Sequence, residues 1–266
     1  MITMSTKSPA ARTAPSGVAP STTLSHRLGE LYNLAQQSDH VFGSPLGPFF
    51  DDDREHYVPR FVYFGPHTSQ ESLRLAVLAG FGRHDRMAVQ ALLAFIEGLA
   101  RDPDIGQGLN VSFFPVVNVV GLLGGAEDRD LTDEPWARAD APEIALLGQE
   151  IRRSGYQGFV RVTTTSDAEP SAWVRSVYST TAQTSEVQVF SSSDFRPWAV
   201  GFEAASADAI RRGPLSLADE LPFAPFEVEL ALPADWTQRT ADRALATKLK
   251  RLIVHYRAFL AYGQHL

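Results

Sequence analysis

The chain has 266 residues, 44% hydrophobic and 21% charged, with a net charge of −7 and no cysteine. Apolar runs such as Leu75–Phe81 and Val116–Val120 fall far short of the ~20 residues of a membrane-spanning helix, so an integral membrane protein is excluded. The missing cysteines exclude disulfides, thiolate catalysis, Fe–S clusters and Cys-ligated zinc, and the acidic balance argues against a broad nucleic-acid-binding face.

Residues 1–22 are rich in Ser, Thr, Pro and Ala, hold no acidic residue and show no apolar periodicity. Such a segment buries too little surface to offset the entropy of ordering, so a disordered tail is expected there. It contains no apolar stretch of the Sec signal-peptide kind, which points to a cytoplasmic protein. Residues 23–57 are expected to form an N-terminal helix and a loop. Leu24, Leu28, Leu31 and Leu34 recur at helical spacing over 24–36, with Ser25 as a cap. Residues 41–57 hold turn formers and the charge run Asp51–Glu55, which reads as a solvated loop.

From residue 58 the pattern is α/β. Strands are predicted over 60–64, 73–79, 111–117, 158–164, 187–190 and 226–232. Helices are predicted over 87–99, 141–153 and 240–262 from apolar stripes such as Ala91, Leu92, Phe95, Ile96 and Leu99. Strands alternating with helices predict one three-layer α/β/α sandwich on a mixed central sheet, with strands 73–79, 111–117, 158–164 and 226–232 at its centre. The cations Arg152, Arg153, Arg211, Arg212, Lys248, Lys250 and Arg251 read as solvated helix faces.

Five segments from Leu73 onward, taken in order, carry a family likeness. Leu73–Ala88 (LRLAVLAGFGRHDRMA) places a strand before a Gly-rich turn. Pro115–Gly121 (PVVNVVG), Asp130–Trp136 (DLTDEPW), Gly158–Thr163 (GFVRVT) and Phe226–Pro233 (FEVELALP) follow. The set resembles zinc carboxypeptidases of the M14 type and their succinylglutamate desuccinylase/aspartoacylase-like relatives, over residues 58–266. The resemblance implies a His-x-x-Glu pair after one strand and a His after a later strand as zinc ligands. It also implies a water activated on the metal, a general-base Glu, and an Arg that holds the substrate.

At every one of those positions the chain departs from the pattern. The first His aligns with Gly82, the ligand Glu with Asp85, the later His with Thr163, the Arg with Asp133 and the general base with Ala231; Asn118 and Gly121 persist. Gly82, Asp85, Asn118, Asp133, Thr163 and Ala231 are therefore expected to line a vestigial pocket, with no catalytic, cofactor-binding or metal-ligating residue and no cofactor. Asp133 in place of Arg implies a pocket that prefers neutral or cationic groups. No histidine lies between His84 and His255, so no register supplies the later His ligand. Glu227 and Glu229 are the candidates for a displaced base, although both read better as facing a neighbour or solvent.

No nucleophile elbow, P-loop, H-E-x-x-H or dinucleotide fingerprint is present. Gly80-Phe-Gly82 reads as a tight strand-to-helix turn. The expected function is that of a pseudoenzyme: an M14-like domain that binds a protein or small-molecule ligand or serves a structural role, without nucleic acid and without a membrane span. The alternative is an active zinc-dependent carboxypeptidase or deacylase-type amidohydrolase with a relocated site. A third possibility is zinc-free hydrolysis by Asp85, Asp133, Glu134 and His84.

Overall fold

The computed structural model describes residues 20–67, 73–126, 129–132, 136, 140–176, 189–203 and 226–263. Helix α1 (Pro20–Gln37) buries Leu24, Leu28, Leu31 and Ala35 on one stripe. It begins ahead of the expected boundary, so residues 20–22 are helical and Ser25 lies inside the helix rather than at its cap. Pro20 suits the opening position, where its missing N–H leaves no bond unmade. The rest of the expected tail lies outside the described residues.

Residues 41–57 are not the predicted loop. They form strand β1 (Val41–Gly43) and a hairpin of β2 (Leu46–Asp51) and β3 (Arg54–Val58). Asp52 and Asp53 turn the hairpin with φ of 44° and 61°, and Asp51 pairs with Arg54 across it. A two-residue turn of this hand needs positive φ at both positions, which Asp tolerates better than most residues. The charge run is the tip of a hairpin, a signal that polarity alone conceals.

Strands β4 (Phe61–Phe64), β5 (Leu73–Ala79), β6 (Leu109–Phe114), β7 (Gly158–Thr165) and β10 (Phe226–Pro233) match the predicted ones. The structure adds β8 (Ser171–Ser176) and β9 (Ala199–Glu203). Of the strand expected at 187–190, Val189 and Phe190 lie outside any strand, and residues 187–188 lie outside the described residues. Phe190 is instead a buried anchor packed against Phe195, Phe226 and Tyr256. An aromatic, β-branched run signals burial as readily as it signals a strand.

The eight-stranded sheet runs β1-β4-β6-β5-β7-β10-β8-β9. β6, β5, β7 and β10 are mutually parallel and central, while β1, β4 and β8 join antiparallel. Helix α2 (Arg86–Arg101) connects β5 to β6, and α4 (Pro142–Ser154) lies on the connection from β6 to β7. These two crossovers run in opposite directions along the sheet. The right-handed rule for parallel crossovers therefore places α2 and α4 on opposite faces and makes β5 the switch strand. Short helices α3 (Val119–Leu122) and α5 (Ser192–Phe195) precede α6 (Gln238–Gly263), which packs on α2. The result is the α/β/α sandwich with a mixed sheet that the sequence predicts. Among the described residues, no helix is long and apolar enough to cross a membrane.

Candidate functional site

The C-terminal ends of β5, β7 and β10 meet at one edge of the sheet, the place where open α/β sheets hold their ligands. Gly80 leaves β5 with φ of 71°. A Cβ there would meet the Pro115 carbonyl at 3.0 Å and Val89 Cγ2 at 2.9 Å, so the tight strand-to-helix turn requires glycine. Phe81, Gly82 and Asp85 follow, all buried.

Asp85 is 3% exposed, and both of its carboxylate oxygens accept backbone hydrogen bonds. The Gly82 N–H donates to Oδ2 at 2.8 Å and the Thr164 N–H donates to Oδ1 at 2.9 Å. Asp85 sits at the N-cap of α2, yet its side chain turns away from the helix. Thr164 Oγ1 accepts a bond from the Ala88 N–H at 3.3 Å, so the end of β7 and the start of α2 are joined twice. Burial pushes the Asp85 carboxyl above its ordinary value of 3.8, against the opposing pull of the two backbone bonds and of Arg161.

Asn118 is fully buried and equally committed. Its Oδ1 accepts the Gly121 N–H at 2.9 Å, and its Nδ2 donates to the carbonyls of Arg129 at 2.9 Å and Phe81 at 3.2 Å. It ties the turn after β6 to the turn after β5 and to the segment 129–132. Arg129 in turn meets Glu143 of α4 at 2.6 Å and Asp51 of the hairpin at 3.3 Å.

Gly82 has no donor side chain, and the space beside it is taken. A Cβ built there would lie 2.6 Å from Thr132 Cγ2. Thr132 is held by Asp130 Oδ1, which accepts from its N–H at 2.8 Å and from its hydroxyl at 2.5 Å.

Thr163 and Ala231 are register partners across β7 and β10, as are Arg161 and Glu229 two residues earlier. Thr163 Oγ1 donates to Glu229 Oε1 at 3.3 Å, and Arg161 is ion-paired with Glu229. The Arg161 guanidinium carbon lies 5.8 Å from the Phe81 ring centroid, and Phe81 packs edge-on against Trp136. Glu227 is paired with Arg175. Both glutamates thus face neighbours, the plainer of the two sequence readings.

The structure therefore brings together Gly82, Asp85, Asn118, Thr163 and Ala231. Asp133 and Glu134 lie outside the described residues. His84 is exposed and accepts a bond from its neighbour Arg83 at 2.9 Å. His255 is remote from this edge, where it meets Asp194 at 2.9 Å and Val189 O at 2.8 Å. Arg161 and Glu229 were missed as a pair. Their signal was the lone Arg161 of β7 opposite the two glutamates, Glu227 and Glu229, of the neighbouring central strand β10.

These residues do not form a zinc donor set. Gly82 offers no atom, the Thr163 hydroxyl is a poor zinc ligand, and the Asp85 oxygens already accept two backbone hydrogens in a buried position. Among the described residues no group of three or more His, Asp or Glu is placed to hold a metal ion.

The fold is carboxypeptidase-like. The chain is similar to a metallo-carboxypeptidase from Burkholderia cenocepacia, with a TM-score of 0.65 and 16% identity, over 88% of this chain and 68% of that one. It is similar to a Pseudomonas aeruginosa metallo-carboxypeptidase solved with (2-guanidinoethylmercapto)succinic acid, with a TM-score of 0.60 and 16% identity, over 86% and 68%. It is also similar to bovine thrombin-activatable fibrinolysis inhibitor solved with tick carboxypeptidase inhibitor, with a TM-score of 0.60 and 10% identity, over 88% and 97%. No family model and no curated protein matches the sequence. At these identities the likeness is one of fold, and function has to be argued from the site.

Proposed function

We propose that this chain is a degenerate relative of the M14 zinc carboxypeptidases, and of their succinylglutamate desuccinylase-like branch, that acts by binding rather than by hydrolysis. The observation that carries this reading is the state of Asp85. It is the best oxygen donor left at a ligand position, and it works as a staple between the β5–α2 turn and the end of β7. Hydrolysis in the family mode needs a metal-activated water and a base to deprotonate it. Gly82 and Thr163 leave the metal without its histidines, and Ala231 leaves the water without its base. The edge itself persists as a surface where a protein or small-molecule ligand can dock.

The test is an assay of zinc-supplemented protein on peptides with free C-termini and on N-acyl amino acids. The expected rate is that of buffer. Turnover that disappears in Glu229→Gln, with the fold retained by circular dichroism, would overturn the proposal in favour of a relocated catalytic site.

A further inference from the structure

A second feature lies apart from this edge. Between α6 and the turn Arg196–Trp198 there is a cavity of about 390 Å³. Five cations line it: Arg196, Arg239, Arg243, Lys248 and Arg251. No Asp or Glu is among its described lining residues, and none of the residues at the sheet edge contributes to it. In a chain of net charge −7, this is a local reversal of sign. Lys248 and Arg251, read from sequence as a solvated face, belong to one wall of this open cavity.

The arrangement follows from helical periodicity. Positions 240, 243, 247 and 251 of α6 share a face, with 239, 244 and 248 beside them. At 1.5 Å per residue the cationic stripe is ~18 Å long. Trp198, Pro197 and Ala244 add apolar surface, and Thr240 and Thr247 add hydroxyls.

Among the described residues, no carboxylate pairs with these cations. Lys248 is 4% exposed and donates to the carbonyls of Phe195 and Arg196, the latter at 2.7 Å, with its ammonium 5.2 Å from the Trp198 ring centroid. Arg251 donates to the Ser193 carbonyl at 2.9 Å. These bonds hold the two cations through neutral carbonyl acceptors, which carry no formal charge. Arg196, Arg239 and Arg243 have no side-chain partner among the described residues. Asp194 is engaged with His255 and Ser191, and Asp242 with Gln238. Burial, with Arg251 alongside, holds the Lys248 ammonium below its usual range.

We propose that this cavity binds a compact polyanion, a small molecule carrying two or more clustered phosphoryl or carboxylate groups. Free guanidinium forks match both oxyanions in bidentate geometry. The volume is that of a small-molecule site, and the apolar surface of Trp198 and Pro197 accommodates the body of the ligand.

The test is isothermal titration of the full chain with inorganic tripolyphosphate, ATP and citrate, at low and at physiological salt. At least one probe should bind, more weakly as salt rises. Arg239→Gln and Arg243→Gln, both exposed, should each weaken that binding about tenfold. Lys250→Gln, an exposed cation of α6 outside the cavity, should leave it within about twofold. Preference for tripolyphosphate and ATP identifies the phosphoryl source, and preference for citrate the carboxylate source. Three results would overturn the proposal: no binding of any probe at millimolar concentration, equal weakening by Lys250→Gln, or tighter, length-dependent binding of an oligonucleotide.

Discussion

Asp85 and Thr164, 79 residues apart in sequence, are joined by a 2.9 Å hydrogen bond from the Thr164 backbone N–H to the Asp85 carboxylate. The other carboxylate oxygen takes the Gly82 N–H. One side chain thereby closes the β5–α2 turn and clamps it to β7. A carboxylate at this edge of a metallo-carboxypeptidase fold thus has a structural role of its own.

Asp85→Ala should destabilise the protein by roughly 1–3 kcal/mol, because one buried and one half-buried N–H lose their acceptor, and an orphaned buried donor costs about 1–3 kcal/mol. Relief of the buried charge keeps the total below the full sum. Urea denaturation measures it. A change of under about 0.5 kcal/mol would remove the staple role.

Acidification should favour wild type over Asp85→Asn. The Asp85 carboxyl is raised above 3.8 mainly by burial, so the folded state holds its proton more tightly than the unfolded chain. The penalty for burying the charge is present above the folded pKa and is relieved as pH falls from there toward 3.8. Asn carries no such term. The stability difference, wild type minus variant, should rise between neutral pH and about pH 4. A difference that narrows on acidification would contradict this.

Asn118→Asp should cost more than Asn118→Ala. Alanine orphans one donor, Gly121 N–H, and two acceptors, the carbonyls of Phe81 and Arg129, a loss of about 2–4 kcal/mol. Aspartate keeps the acceptor for Gly121 but aims a buried carboxylate oxygen at two carbonyls. Chemical denaturation of both variants ranks them, and the reverse order would refute the assigned orientation of the amide.

Gly82→Ala should destabilise by about 1–3 kcal/mol, since the new methyl meets Thr132 at overpacked distance. In a Thr132→Ala background the same change should cost less, because the 2.6 Å contact is gone. A double-mutant cycle reads this coupling, and strict additivity would show that Thr132 does not fill the position.

The central strands were legible because buried parallel strands are written as near-continuous apolar runs, as in LRLAVLA of β5. The hairpin was not legible, because its turn is built from Asp52 and Asp53, whose charge points to solvent and whose positive φ leaves no trace in hydropathy. β8 was hidden because in SAWVRS the exposed Trp173 replaces the polar residue an alternating pattern would show. At the site, the order of landmarks located Gly82, Asp85, Asn118, Thr163 and Ala231 at one edge. What Asp85 does was hidden, because its partner is a backbone N–H supplied by a distant strand. The cationic cavity was hidden for a similar reason. Its helical stripe is visible in sequence only after the turn at Arg196 is known to face it.

The most direct test of the claim that this edge is a staple and not a metal centre is zinc stoichiometry. Purified protein equilibrated with micromolar zinc, dialysed and analysed by plasma mass spectrometry should hold far less than one equivalent per chain, unchanged in Asp85→Asn. One tightly held equivalent that is lost in Asp85→Asn would contradict the account.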